Sequence, residues 1–120
     1  MLILKTKIIN LPYRINIANN FWTRFKGLQF QKKPLVEEGL LITPCNSIHM
    51  FFMRFPIDVV FLYQSNNVVK IVSNINPWRI VPPVKDAHSA LELPSGTIIE
   101  KNICVDDKIT FIQKFNKLIA

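Results

Sequence analysis

Apolar and polar residues alternate along most of this chain with a period of two, the pattern of strands that bury one face. Leu2 to Ile9 and Tyr13 to Ile17 are rich in β-branched residues and are divided by Leu11-Pro12, so they read as two short strands. At Asn20 the pattern changes. Phe21, Phe25 and Leu28 recur at i, i+4 and i+7, the apolar stripe of a short helix that Asn20 caps and Gly27 ends. After Lys33-Pro34 the strand pattern resumes at Leu40 to Thr43, Ser47 to Met53, Ile57 to Tyr63, Val68 to Ile75, Ser89 to Leu93 and Lys108 to Gln113. Gln64-Ser65-Asn66-Asn67 supplies a hairpin turn, because Asn tolerates positive φ. Pro77 to Pro83 holds three prolines, each with fixed φ and no backbone donor, which excludes a central strand. Beyond Pro94-Ser95-Gly96, Thr97 to Lys101 reads as one helical turn capped by Thr97, and Phe115, Leu118 and Ile119 fit a strand or a short helix equally. The expected fold is mainly β, α+β at the margin: a compact antiparallel β-barrel or sandwich of about seven or eight short strands, with one short amino-terminal helix and one further helical turn.

A chain of 120 residues has the size of a single domain, here 1–120. With 49% hydrophobic and 19% charged residues the composition excludes disorder. No apolar run reaches the ~18 residues of a membrane span, since the best candidate, Met50 to Tyr63, is broken by Arg54, Pro56 and Asp58. Lys5 and Lys7 interrupt the apolar amino terminus, so it does not read as a signal peptide, and a cytoplasmic location is expected. In that reducing compartment Cys45 and Cys104 are expected as two thiols. The net charge of +7 is uneven: residues 1 to 36 hold seven basic and no acidic side chains, residues 37 to 120 eight of each. That asymmetry admits a nucleic-acid contact through Arg14, Arg24, Lys26, Lys32 and Lys33, with Trp22 or Tyr13 for stacking.

One stretch is too particular for a generic strand pair: Pro44-Cys45-Asn46-Ser47-Ile48-His49-Met50-Phe51-Phe52-Met53-Arg54-Phe55-Pro56-Ile57-Asp58-Val59-Val60-Phe61-Leu62. It resembles the domain-of-unknown-function 192 family. Arg24 to Leu28 ahead of Glu38-Gly39-Leu40-Leu41, then Pro77-Trp78-Arg79, then Ala90-Leu91-Glu92-Leu93-Pro94-Ser95-Gly96 agree in order and spacing, so the resemblance runs from about Asn16 to Ile112. It implies a compact β-rich domain, found mainly in prokaryotes, with no settled biochemical activity. The chain departs from the family pattern at Asn102 and Asp106, where glycines are expected. Asn and Asp are the residues that best replace glycine in left-handed turns, so the turns are expected to persist.

The candidate chemistry gathers around that stretch. On a strand reaching back to Cys45, residues Cys45, Ser47, His49, Phe51 and Met53 share one face, and Ile48, Met50 and Phe52 the other. Four residues of strand still separate Cys45 from His49 by about 13 Å, too far for a thiolate–imidazole contact without a bend at Pro44-Cys45. One Cys and one His, with His88 the only other imidazole, also make a poor metal set, so neither metal nor cofactor is expected. Arg54 and Asp58 interrupt an apolar run. They read equally as a polar pocket floor or as a structural ion pair, and with Arg79 and Glu92 they are expected to form a four-member network. Trp78-Arg79, held in the proline-rich connection, reads as a recognition loop or as the cap of one end of the core. Gly27, Gly39 and Gly96 are too scattered for a phosphate cradle, and no serine sits in a nucleophile elbow.

Three functions remain open from these residues. The leading one is a binding module presenting His49, Arg54, Asp58, Trp78, Arg79 and Glu92 to a small anionic ligand or to a segment of a partner protein. The second is an enzyme or redox protein with Cys45 as thiol, His49 as base and Arg54 as anion clamp, set back by the strand distance. The third is the basic nucleic-acid-associated protein.

Overall fold

The structure, a computed structural model, describes residues 6–20, 28, 33–34 and 36–114, with 113 and 114 as backbone only. The described elements run β1 (Ile8–Ala18), β2 (Glu38–Ile42), β3 (Ile48–His49), β4 (Ile57–Leu62), β5 (Val68–Ile75), β6 (Ile80–Val81), β7 (Ser89–Pro94), α1 (Thr97–Glu100) and β8 (Lys108–Lys114). Six strands form one sheet in the order β5-β4-β7-β2-β1-β8, and β3 and β6 form a separate two-stranded ribbon. The mainly β reading holds. The expected amino-terminal helix lies outside the described residues except at its ends, where Leu28 is buried, and the carboxyl-terminal Phe115, Leu118 and Ile119 also lie outside them.

The sheet is neither wholly antiparallel nor closed. β1 pairs in parallel with both β2 and β8, while β2–β7, β4–β7 and β4–β5 are antiparallel. Parallel neighbours need a long crossover, and the chain supplies one between Ala18 and Glu38 and another through most of its length before β8. The two edges, β5 and β8, meet only at one end. There Asn67 bridges Lys108, Val68 N donates to Asp107 O at 2.8 Å and Ile109 N to Asn66 O at 2.9 Å. No ladder continues beyond that corner among the described residues, so the expected barrel is a curled open sheet. Leu11-Pro12 does not divide two strands either. β1 runs through it, with a register shift between Leu11 and Arg14 that leaves Pro12 exposed, where its missing donor disrupts no ladder.

Strand β4 is buried at every position because both of its faces are covered. Val60 and Leu62 join Leu11, Ile15, Leu91 and Ile109 on one side of the sheet. Ile57, Val59 and Phe61 join Met50, Phe55, Val81 and Ala90 on the other, beneath the β3–β6 ribbon. Close packing of β2 requires Gly39, where an added Cβ would lie 2.9 Å from the backbone oxygen of Glu92 and as near to the side chains of Ile15 and Leu93.

The turns follow the residues that tolerate left-handed backbone. Asn66 has φ 67°, Asn102 φ 53° and Asp106 φ 74°, so the two positions expected as glycines in the family keep their turns with Asn and Asp. Helix α1 corrects one expectation. Its cap residue is Gly96 at φ 95°, and Thr97 instead donates its hydroxyl to Pro94 O at 2.7 Å. The anionic cap comes from a distant strand: Asp58 Oδ2 accepts Gly96 N at 3.1 Å and Ile98 N at 2.8 Å, and Asp58 Oδ1 accepts Asn74 N at 2.8 Å.

Candidate functional site

The β3–β6 ribbon carries the candidate site. In its register Ile48 faces Val81 and His49 faces Ile80. Ile48 and Val81 are buried while His49 and Ile80 are exposed, so the ribbon has one core face and one outward face. Beyond the ribbon, Met50 fixes the join. Met50 N donates to Arg79 O and Trp78 N to Met50 O, each at 2.7 Å, and Met53 N donates to Met50 O at 3.3 Å. The chain therefore turns at Phe51-Phe52 rather than continuing as the expected strand to Met53, and β3 is only Ile48–His49.

That turn reverses the expected alternation. Phe52 adopts φ 61° and is 49% exposed, whereas Met50 and Met53 on either side of the turn are buried. Trp78, on the adjoining turn, adopts φ 70° and is 59% exposed. Four rings then form a continuous row: His49 to Phe51 at 4.9 Å between centroids, Phe51 to Trp78 at 5.8 Å, and Trp78 to Phe52 at 5.0 Å in edge contact. Ile80, at 61% exposure, adds aliphatic surface. Trp78 thus stands on an outward face and does not close the core.

The expected charge network does not form. Asp58 is fully buried and its two oxygens are occupied by the three backbone N–H groups, not by Arg54. Backbone amides satisfied it from elements that only the fold brings near. Arg54 and Arg79 are both exposed. Glu92 is 4% exposed, and burial alone pushes its carboxyl up to about 8, with no cation contributing. Of the six residues expected in one cluster, the structure brings His49 and Trp78 into the ring row, places Arg54 and Arg79 exposed on the same two turns, and sets Asp58 and Glu92 in the interior.

The thiol arrangement also changes. Cys45 precedes β3 instead of lying on it, and its Sγ donates to Ser47 O at 3.0 Å, a bond made by the neutral thiol. Its backbone N donates to His88 O at 2.9 Å, and Cys45 and His88 line a shallow cleft of about 260 Å³ with Pro44, Asn46 and Ala87. Neither cysteine forms a disulfide. Among the described residues no group of three His, Cys, Asp or Glu is arranged to hold a metal ion. For nucleic-acid stacking, Tyr13 is unsuited, being buried at 9% exposure with Lys101 Nζ 5.6 Å above its ring. Arg14 is exposed 3.8 Å from Glu38. Lys33 is exposed, and Trp22, Arg24, Lys26 and Lys32 lie outside the described residues. No helix among the described residues is long and apolar enough to cross a membrane.

A family model, DUF192, described as Uncharacterized ACR, COG1430, matches residues 3–111. The chain belongs to this family. It is 40% identical over 115 residues to a UPF0127 protein of Thermococcus sibiricus, covering 91% of this chain and 73% of that protein. It is 32% identical over 119 residues to UPF0127 protein PF1050 of Pyrococcus furiosus, covering 95% and 97%. A crystal structure of a protein of unknown function from Novosphingobium aromaticivorans superposes with a TM-score of 0.72 at 24% identity, over 80% of this chain and 73% of that one, and so shares the fold.

In this DUF192 chain the residues that sequence reasoning left out of the site are Phe51, Phe52 and Ile80. A signal was present, since two successive aromatics cannot both point inward from a strand with alternating faces. One of them must face outward or the strand must end, and here the strand ends.

Proposed function

We propose that this DUF192 protein is a binding module that docks a chain segment of a partner protein on the ring row His49, Phe51, Trp78 and Phe52, with Ile80 beside it. One observation carries the reading: two aromatic residues held at positive φ, Phe52 and Trp78, are both exposed, at 49% and 59%. Left-handed backbone costs a non-glycine residue about 1–2 kcal/mol, and burial of the ring would normally offset that cost. Here the rings remain displayed, so their conformation serves something outside the fold. Rigid aromatic anchors on preformed turns lower the ordering cost of association. Successive ring contacts at 4.9, 5.8 and 5.0 Å join the four rings into one aromatic face, larger than a small anion needs.

The test is selection of a displayed library of random 12-residue peptides on the purified protein and, in parallel, on a Phe52→Ala/Trp78→Ala variant. The reading expects sequences enriched on the parent that lose at least tenfold in affinity on the variant. If no sequence is enriched, or the enriched peptides bind both proteins equally, the docking reading is wrong.

A further inference from the structure

Resting on that docking reading, we infer that the segment captured is acidic as well as apolar, with Asp or Glu side chains pairing with Arg54 and Arg79. The two stretches that build the face, 43–57 and 76–85, contain Arg54, Arg79 and Lys85 and no acidic residue. Arg79 directly follows the displayed Trp78, and Arg54 lies two residues after the displayed Phe52. Both arginines are exposed, and no ion pair among the described residues engages either guanidinium. Asp86, directly after Lys85, is exposed and pairs with neither arginine among the described residues, and the other carboxylates weighed against the face are engaged or enclosed. Asp58 holds three backbone N–H groups, Asp107 holds Lys7 at 2.6 Å, Glu38 lies 3.8 Å from Arg14, and Glu92 is buried.

The face therefore carries positive charge with nothing in its own stretches to neutralise it. Guanidinium groups prefer planar, two-pronged carboxylate partners, and apolar rings beside them weaken the screening by water. A ligand meeting both demands has aromatic or aliphatic anchors interleaved with carboxylates. An anionic bilayer offers the same two chemistries. Bilayer recognition, however, draws on clusters of roughly four to eight Lys or Arg, whereas these two stretches supply three basic residues beside joined aromatic rings, a set that suits a protein segment.

The selection above tests the inference when its peptides are read for composition and remeasured by titration calorimetry. Enriched peptides should carry at least two Asp or Glu beside Trp, Phe or Leu, and replacing those acids by Asn and Gln should weaken binding at least tenfold. Raising NaCl from 50 to 300 mM should weaken it several-fold, and an Arg54→Glu/Arg79→Glu variant, folded by circular dichroism, should lose the acidic peptides. Enrichment of peptides without acids overturns the inference and leaves the docking reading standing. Enrichment of nothing overturns both. Vesicles of phosphatidylglycerol, with phosphatidylcholine as control, complete the test: strong binding to the anionic vesicles without any acidic peptide assigns the face to membranes and overturns the inference.

Discussion

Glu92 pairs in register with Leu40 on one side and Val59 on the other, within the buried middle of the sheet. Burial pushes its carboxyl from the ordinary 4.5 up to about 8. Between those two pH values the folded state keeps a proton that the unfolded chain has released, so stability falls as pH rises and levels off above about 8. At about 1.4 kcal/mol per pH unit the interval sets a ceiling near 5 kcal/mol, and structural relaxation with water entry brings the expected value to about 2–4 kcal/mol. Replacing Glu92 by Gln retains the shape and removes the ionisation. Urea unfolding followed by tryptophan fluorescence at pH 5, 6, 7 and 8.5 should find Glu92→Gln within about 1 kcal/mol of the parent at pH 5. At pH 8.5 the variant should be the more stable of the two by about 2–4 kcal/mol. Every other titrating group is common to both proteins, so the difference isolates Glu92. Parallel stability curves, or a parent that gains on the variant as pH rises, would refute the reasoning.

Asp58→Asn keeps one acceptor oxygen and sets an amide NH₂ against backbone donors, so it should cost about 2–4 kcal/mol in urea unfolding, and Asp58→Ala about 4 kcal/mol; a loss under 1 kcal/mol for the alanine variant would contradict the three-bond account. Burial opposes the charge on Asp107, but hydrogen bonds from Lys7 and from the Cys104 amide outweigh it and hold the carboxyl below its usual 3.8. Its contribution is therefore complete above about pH 4 and is lost as pH falls through the lowered value, so Asp107→Asn should flatten the acid limb of an unfolding titration.

The parts of the fold legible from sequence are those written locally. The hairpin between β4 and β5 follows from β-branched, apolar runs on both sides of the Asn66 turn, and the left-handed turns at Asn102 and Asp106 follow from residue type. Pairing partners are not local. The same alternation in β1 serves a parallel or an antiparallel neighbour, so two parallel pairings with β2 and β8 left no mark in the pattern. Asp58 was legible as a buried acid in need of partners, yet its partners are backbone amides 16, 38 and 40 residues away, which no search for a complementary side chain would find. At the candidate site, the sequence left Trp78-Arg79 open as a recognition loop or a core cap, and the exposure of Trp78 speaks against the cap. Phe52 was not legible, since its outward direction depends on the φ of 61° that ends the strand.

The central claim is that the ring row serves a partner and not the fold, and the unfolding free energies of Phe52→Gly and Trp78→Gly test it most directly. Glycine relieves about 1–2 kcal/mol of left-handed strain at each position, offsetting the loss of ring contacts worth about 0.5–1.5 kcal/mol per pair. Phe52→Gly should therefore unfold within about 1 kcal/mol of the parent, and Trp78→Gly, which loses two ring pairs, within about 2 kcal/mol, while both lose the selected peptides. A loss above about 3 kcal/mol in both variants would contradict the account and make the rings part of the core.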